Sequence, residues 1–197
     1  DAGPRPPIHL VWEGLVQDES RIKVIVADLL SCAASGRSPL VLADRKVYLE
    51  RLQAAFTAEV TGVTCHRLDG QMGKKARNEV LRQIDEHYNE RKPFVLFATA
   101  SLIGEGFDLP RLDTLVLAMP LSFKGRLVQY AGRLHRQHEA KGAAMIFDYL
   151  DHNHAITSAM FRRRLAGYRE LGYAVEMPQS EAAPWFGDKP TESGRTE

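Results

Sequence analysis

Two arginines and a glutamine in one short segment have the types and spacing of a polyanion-binding group. Residues 129–136 read Gln-Tyr-Ala-Gly-Arg-Leu-His-Arg. In a helix, Gln129, Arg133 and Arg136 share one face because they are separated by four and three residues. A guanidinium is permanently charged and forks onto phosphate oxygens, so this face suits a triphosphate as well as it suits a solvated basic surface. Gly132 costs a helix about 1 kcal/mol relative to alanine, which indicates close packing or close approach of a ligand.

A second candidate group lies between residues 104 and 108, which read Gly-Glu-Gly-Phe-Asp. Gly104 and Gly106 permit a ligand to approach the backbone closely, although glycine pairs are also common in ordinary turns. Asp108 can accept a hydrogen bond from a hydroxyl or bind a cation, and a capping carboxylate is the alternative. A dinucleotide-binding turn is disfavoured because Leu109 occupies the position of its third glycine and no acidic residue ends a suitable second strand.

A histidine-rich region offers a metal site as another interpretation. Four histidines lie close in sequence to two aspartates: His135, His138, His152, His154, Asp148 and Asp151. Imidazole and carboxylate groups are common zinc ligands. Histidines of the surface or of loops are the favoured interpretation, because nothing in the spacing requires the two groups to meet.

The elements that would position these residues follow from alternating apolar patterns. Short apolar runs predict strands over residues 40–43, 63–66, 94–98, 114–119 and 143–147. Apolar residues at helical spacing predict helices over residues 19–34, 45–58, 74–88, 124–136 and 154–171. This alternation predicts an α/β domain with a mostly parallel sheet covered by helices on both faces. In the last helix, the run of three arginines at residues 162–164 is typical of a solvated charged surface.

Ligands of open parallel sheets bind beyond the carboxyl ends of the strands. The residues that follow the first three predicted strands at this edge are mostly polar or glycine, and they include Asp44, Arg45, Gly70, Thr99 and Ala100. Because the strands themselves are apolar, this contrast favours a binding site at the edge over a purely structural loop.

The order of these segments resembles a known family. Residues 39–45, 98–110 and 129–136 resemble motifs IV, V and VI of superfamily-two helicases, and residues 66–77 resemble the segment between motifs IV and V. The chain is therefore similar to the C-terminal RecA-like lobe of DEAD/DEAH-like helicases, nearest to those of restriction and phage-defence systems. The resemblance implies a three-layer RecA-like α/β domain of the P-loop NTPase type. Its lobe would span residues 19–177, after a linker or domain start at 1–18 and before a flexible tail at 178–197.

The resemblance also implies residue roles. Arg136 matches the arginine finger that stabilises charge on the transferring γ-phosphoryl group, and Arg133 matches its companion. Five further residues match the side that faces ATP: Gln129, Gly132, Gly104, Gly106 and Asp108. The residues of the nucleic-acid path are Asp44, Arg45, Gly70, Thr99 and Ala100. Hydroxyls and backbone N–H groups there would contact the phosphate backbone without reading bases.

Part of an ATP site is missing from the sequence. A phosphate-binding loop requires G-x-x-x-x-G-K-[ST], whereas residues 70–75 read Gly-Gln-Met-Gly-Lys-Lys. We therefore expect ATP and Mg²⁺ to be bound mainly by an N-terminal lobe of the same parent chain, and this fragment to be inactive alone. The start Asp-Ala-Gly-Pro, which lacks Met, fits an excised domain. A non-catalytic module that binds nucleic acid or protein is the alternative.

Bulk composition limits the remaining possibilities. The 197 residues suffice for one domain, and 44% of them are hydrophobic while 26% are charged. The net charge of +1 neither requires nor excludes nucleic acid, for which the resemblance favours DNA. No apolar run predicts a membrane span, and two cysteines without an oxidising context are typical of a cytoplasmic protein. We expect the isolated domain to be monomeric.

Overall fold

The computed structural model describes residues 6–104, 112–122, 124–138 and 144–177, without the side chains of residues 103, 104, 126 and 136–138. Strands cover Pro39–Ala43 (β1), Thr64–Leu68 (β2), Phe94–Thr99 (β3), Thr114–Leu117 (β4) and Met145–Asp148 (β5). Helices cover Ile8–Gln17 (α1), Glu19–Ala34 (α2), Lys46–Glu59 (α3), Lys74–Asn89 (α4), Ser101–Gly104 (α5), Arg126–His138 (α6) and Ala155–Glu170 (α7). None of the helices in these ranges combines the length and apolar character that crossing a membrane requires.

The five strands form one sheet in the order β2-β3-β1-β4-β5, and all neighbouring pairs are parallel. Leu40 of the central strand β1 pairs with Leu96 on one side and with Leu115 on the other. Every residue of β1, β3 and β4 is buried, as expected of strands covered on both faces. The predicted parallel α/β sheet is confirmed.

Two apolar clusters, one on each face of the sheet, give the molecule three layers. One cluster joins side chains of α4, α6 and α7, including Ile84, Leu134 and Tyr168, to the sheet. The other joins side chains of α1, α2 and α3, including Val16 and Phe56, to the opposite face. The carboxyl ends of the strands therefore form one continuous edge between two helical layers.

Helix α1 was missed by the sequence-based reasoning, which assigned residues 1–18 to a linker or the start of the domain. It begins after Pro7 and buries Val11, Leu15 and Val16. Asp18 then caps α2, since its carboxylate accepts hydrogen bonds from the backbone N–H groups of Ser20 and Arg21 at 2.9 and 3.1 Å. Helix α1 therefore packs into the same apolar cluster as α2 and α3.

The expectation of a solvated arginine run is wrong for one of its three residues. Arg162 and Arg163 are exposed, but Arg164 has 0% relative exposure. Phe161, Arg164 and Tyr168 lie three and four residues apart, so the buried stripe of α7 includes the arginine. Its charge is compensated by Asp148, whose two carboxylate oxygens lie 2.6 and 2.9 Å from Nε and Nη2.

His66 on β2 is a buried titratable group that gives the fold a pH dependence. It is 5% exposed, and its Nε2 has no hydrogen-bond partner within the described residues. Its ring packs edge-on against His87 and Phe94. Burial, together with the nearby charge of His87, lowers the pKa of His66 to about 4.

We expect this histidine to destabilise the fold as the pH falls. Between pH about 6.5 and about 4, the unfolded chain binds a proton at His66 that the folded chain does not, so the free energy of unfolding decreases. The contribution approaches about 1.4 kcal/mol per pH unit. Urea denaturation of wild type and His66→Leu across this range should give a shallower slope for the variant. Equal slopes would contradict this explanation.

Candidate functional site

The segments that follow β1 and β2 meet at the carboxyl edge of the sheet. Lys46, the first residue of α3, lies with Nζ 3.1 Å from Asp69 Oδ1 and donates to Gln71 Oε1 at 2.8 Å. This bridge brings Arg45, directly before α3, near the turn that contains Gly70. That both residues line one nucleic-acid path stays a prediction.

Exposed groups at this edge carry both signs of charge. Asp44 and Arg45 are exposed, and so is Gly70. Local desolvation raises the pKa of Asp44, and the neighbouring Arg45 guanidinium offsets part of that shift. The exposed guanidinium of Arg45 therefore lies beside a carboxylate at this edge.

The end of β3 differs in detail from the sequence expectation. Thr99 is 7% exposed, and its hydroxyl lies 3.0 Å from the Ser101 hydroxyl. The Ala100 N–H donates to the Ala43 carbonyl at 3.2 Å, so a sheet contact already occupies it. Ser101 is exposed. The accessible hydroxyl at this strand end is thus that of Ser101, which lies two residues beyond the one that was singled out.

The glycine segment after β3 is described only in part. Gly104 ends helix α5, whose backbone contacts α6. Gly106 and Asp108, the other predicted ATP-facing residues of this segment, lie outside the described residues. The contact between α5 and α6 nevertheless puts the start of the segment next to the helix that contains the arginines.

Helix α6 has the amphipathic form that its spacing predicted. Gln129 and Arg133 are exposed, whereas Leu127, Tyr130 and Leu134 are buried. The side chain of Arg136 lies outside the described atoms, although its backbone continues the helix. Gln129 and Arg133, the two members whose side chains are described, therefore lie on one exposed face, and contact of that face with ATP stays a prediction.

Close packing accounts for the glycine inside α6. A Cβ atom added to Gly132 would lie 3.2 Å from Leu171 Cδ2, tighter than most real contacts. One residue earlier, the Ala131 carbonyl accepts a hydrogen bond from the Tyr173 hydroxyl at 2.7 Å. The His135 ring packs edge-on against Tyr173 with centroids 4.7 Å apart. The body of α6 is thus positioned by the residues that follow α7.

These contacts also bear on the metal interpretation. His135 is engaged in ring packing, while the His138 side chain is not described. Across the part of the chain that the structure describes, no three His, Cys, Asp or Glu side chains are grouped as ligands of a metal ion.

Two arginines, Arg21 and Arg164, are buried near the site, and the sequence patterns did not predict the burial of either. Arg21 of α2 donates from Nε and Nη2 to Asp151 at 2.7 and 3.1 Å. Its Nη1 donates to the Tyr48 hydroxyl at 2.7 Å and to the Ala118 carbonyl. Arg164 of α7 is bound to Asp148 and donates from Nη1 to the Leu121 carbonyl at 3.2 Å. Both arginines therefore contact the connection between β4 and α6.

Comparisons with known proteins agree with this architecture. The chain is 34% identical over 82 residues to putative helicase 161L of Invertebrate iridescent virus 6, a match that covers 42% of this chain and 17% of that protein. The T4 UvsW structure matches with a TM-score of 0.65 at 17% identity, over 84% of this chain and 35% of that one. The C-terminal part of the Fun30 ATPase domain matches with a TM-score of 0.58 at 14% identity, over 84% and 48%.

These similarities define both the fold and the family. At such low identity the two structures establish the fold alone, and they confirm the RecA-like α/β class. The chain spans less than half the length of each of these three relatives. The model of the family described as "Helicase conserved C-terminal domain" matches residues 21–138, which is more than half of the chain. The chain accordingly belongs to the helicase conserved C-terminal domain family.

Proposed function

We propose that this domain is the second lobe of an ATP-dependent helicase or translocase that moves along nucleic acid. The observation that carries the proposal is the exposed Gln129–Arg133 face of α6, next to the segment that follows β3. An N-terminal lobe of the same parent chain would face this surface across a cleft. The lobe described above would supply arginines to the ATP that the other lobe binds with Mg²⁺.

On the nucleotide side, the proposed roles follow motif order. Arg136 would donate to the γ-phosphoryl oxygens as their negative charge shifts during transfer, and Arg133 would assist it. Gln129 would contact the nucleotide from the same face. Gly104, Gly106 and Asp108 would approach the nucleotide from the neighbouring loop, with Asp108 reaching a ribose hydroxyl. Gly132 would act by allowing α6 to pack closely on Leu171, which sets the direction of the arginine face.

On the nucleic-acid side, the edge formed by the ends of β1, β2 and β3 would follow the phosphate backbone. Arg45 would supply the charged contact, while Asp44, Gly70 and Ala100 would line the path. Near Thr99, the exposed Ser101 hydroxyl would donate to a phosphate. Such contacts fix position and carry no base information. DNA is the proposed track, because the resemblance is nearest to restriction and defence helicases, and the cytoplasm is the proposed location.

Alternate closing and opening of the two lobes would convert hydrolysis into movement. Binding of ATP would draw the arginine face towards the other lobe, and loss of the γ-phosphate would release it. Each lobe would contact the nucleic-acid strand separately. One cycle of hydrolysis would therefore shift the contacts of one lobe along the strand relative to those of the other.

The experiment that tests this proposal compares the complete protein with the 197-residue chain. We expect the complete protein to hydrolyse ATP with stimulation by single-stranded DNA, and the isolated chain to show no turnover, because it lacks a phosphate-binding loop. Stimulation by RNA in place of DNA would correct the choice of track. A complete protein that binds nucleic acid without hydrolysing ATP would favour the non-catalytic module instead.

The same assay tests the nucleic-acid edge with a matched pair of variants. In the complete protein, Arg45→Ala should raise the DNA concentration needed for half-maximal stimulation. It should also reduce the slope of log affinity against log salt by about 0.7, the value for one single-strand phosphate contact. Lys92→Ala removes the same charge from an exposed residue before β3, at the opposite edge of the sheet, and should change neither quantity. Equal slopes for both variants would remove Arg45 from the path.

A further inference from the structure

The connection between β4 and α6 is bound from both faces of the sheet. On one face, Arg21 of α2 donates to the Ala118 carbonyl. On the other face, Arg164 of α7 donates to the Leu121 carbonyl at 3.2 Å. Two guanidiniums thus bind two carbonyl groups that lie three residues apart, eight and five residues before α6 begins at Arg126.

Each guanidinium is itself fixed by a carboxylate that follows or ends β5. Arg164 forms a two-point contact with Asp148, and Arg21 forms one with Asp151. The Tyr168 hydroxyl donates to Asp148 as well, at 2.8 Å. Because a guanidinium is a rigid planar fork, its two-point pairing leaves the remaining N–H groups with defined directions. Through the two guanidiniums, the carboxylates at the end of β5 therefore fix the positions of the Ala118 and Leu121 carbonyls.

Both ion pairs are buried, and a role in stability alone does not explain why charged residues occupy these positions. The side chains of Arg164 and Asp148 are 1% and 7% exposed, and those of Arg21 and Asp151 are 6% and 11% exposed. Apolar residues of similar volume often replace a buried ion pair without loss of stability, so stability alone does not require two such pairs. Apolar side chains cannot, however, direct a backbone carbonyl.

We propose that Arg21 with Asp151 and Arg164 with Asp148 are positioning pairs, which hold the start of α6 so that its arginine face points into the cleft. This inference rests on the proposed function. Residues 171–173 position the body of α6 through Ala131 and Gly132, so β5 and α7 together determine the direction of the whole helix. The four charged residues would act through α6 and not by contact with the nucleotide.

The test replaces one pair by apolar residues in the complete protein. The triple variant Arg164→Met, Asp148→Leu, Tyr168→Phe removes the charges and the hydroxyl that would lose its acceptor. We expect its melting temperature to stay near that of wild type, while kcat for DNA-stimulated ATP hydrolysis falls about 10–100-fold, as misplaced catalytic groups cause. KM for ATP should change much less. Amide hydrogen exchange in residues 118–122 and 126–138 should become faster.

A milder variant covers the case in which the triple variant does not fold. Arg164→Lys retains a cation next to Asp148 but lacks the fork that reaches the Leu121 carbonyl, and it should show the same decrease in kcat and the same faster exchange. Arg163→Ala, an exposed neighbour in the same helix, is the control and should show neither. If the variants are folded and as active as wild type, with unchanged exchange in α6, the positioning role is wrong. A complete wild-type protein without ATPase activity would instead overturn the proposed function, and this inference with it.

Discussion

We expect the Arg136→Ala variant of the complete protein to lose about 10³–10⁵-fold in kcat for ATP hydrolysis, the effect of an arginine finger in other phosphoryl-transfer systems. Arg136 lies one helical turn beyond Arg133, on the same face of α6. Its guanidinium would contact the γ-phosphoryl group more strongly in the transition state than in bound ATP. A contact of that kind lowers kcat when it is lost, with a small effect on KM.

Three measurements make this prediction specific. Arg136→Lys keeps the charge but loses the fork, so its kcat should remain far below that of wild type. Binding of single-stranded DNA without nucleotide should stay close to the wild-type affinity, because in the proposed arrangement α6 would face the nucleotide and not the strand. Arg163→Ala should leave turnover unchanged. Near-normal turnover of Arg136→Ala would remove the finger assignment.

The second large effect concerns stability. In the 197-residue chain, Arg164→Ala should lower the free energy of unfolding by about 3–5 kcal/mol, because it leaves Asp148 charged and buried without its cation. The Leu121 carbonyl loses a donor at the same time. For a domain of this size, such a loss lowers the melting temperature by roughly 6–20 °C.

Urea denaturation with Arg163→Ala as the matched control measures this effect. The control removes an exposed arginine from the same helix, so its free energy of unfolding should stay within about 0.5 kcal/mol of wild type. Asp148→Ala should be as damaging as Arg164→Ala, since it leaves the guanidinium buried and unpaired. A loss below about 1 kcal/mol in both single variants would mean that water enters the site and solvates the remaining charge.

The sheet and most helices could be predicted because their apolar patterns are strong. Helix α2 occupies the predicted residues, and the strand cores of β1 and β3 lie within one residue of their predicted bounds. Helix α1 escaped prediction because it is short, follows two prolines and contains Gly14, features that are also typical of a linker. Arg164 was misassigned because three consecutive arginines suggest a surface, although the spacing to Phe161 and Tyr168 identifies the buried one.

In the candidate site, too, local sequence patterns predicted some features, and contacts between distant residues determine the others. Exposure of Gln129 and Arg133 follows from helical spacing, which is a local property. The contact between Arg21 and Asp151 joins residues 130 positions apart, and no local pattern predicts it. The occupied N–H of Ala100 is likewise a result of strand pairing. The restriction and defence relationship, the preference for DNA, the cytoplasmic location and the monomeric state stay predictions.

The ion pairs at the end of β5 also limit how far the C-terminal side of this domain can be truncated. A fragment trimmed to the family match, residues 21–138, would lack Met145–Asp148 and Ala155–Glu170. Such a truncation leaves Arg21 buried without the carboxylate of Asp151. It also exposes the edge of β4 that pairs with β5, and exposed strand edges promote aggregation. Recombinant versions should therefore extend through residue 173, where the Tyr173 hydroxyl still reaches Ala131.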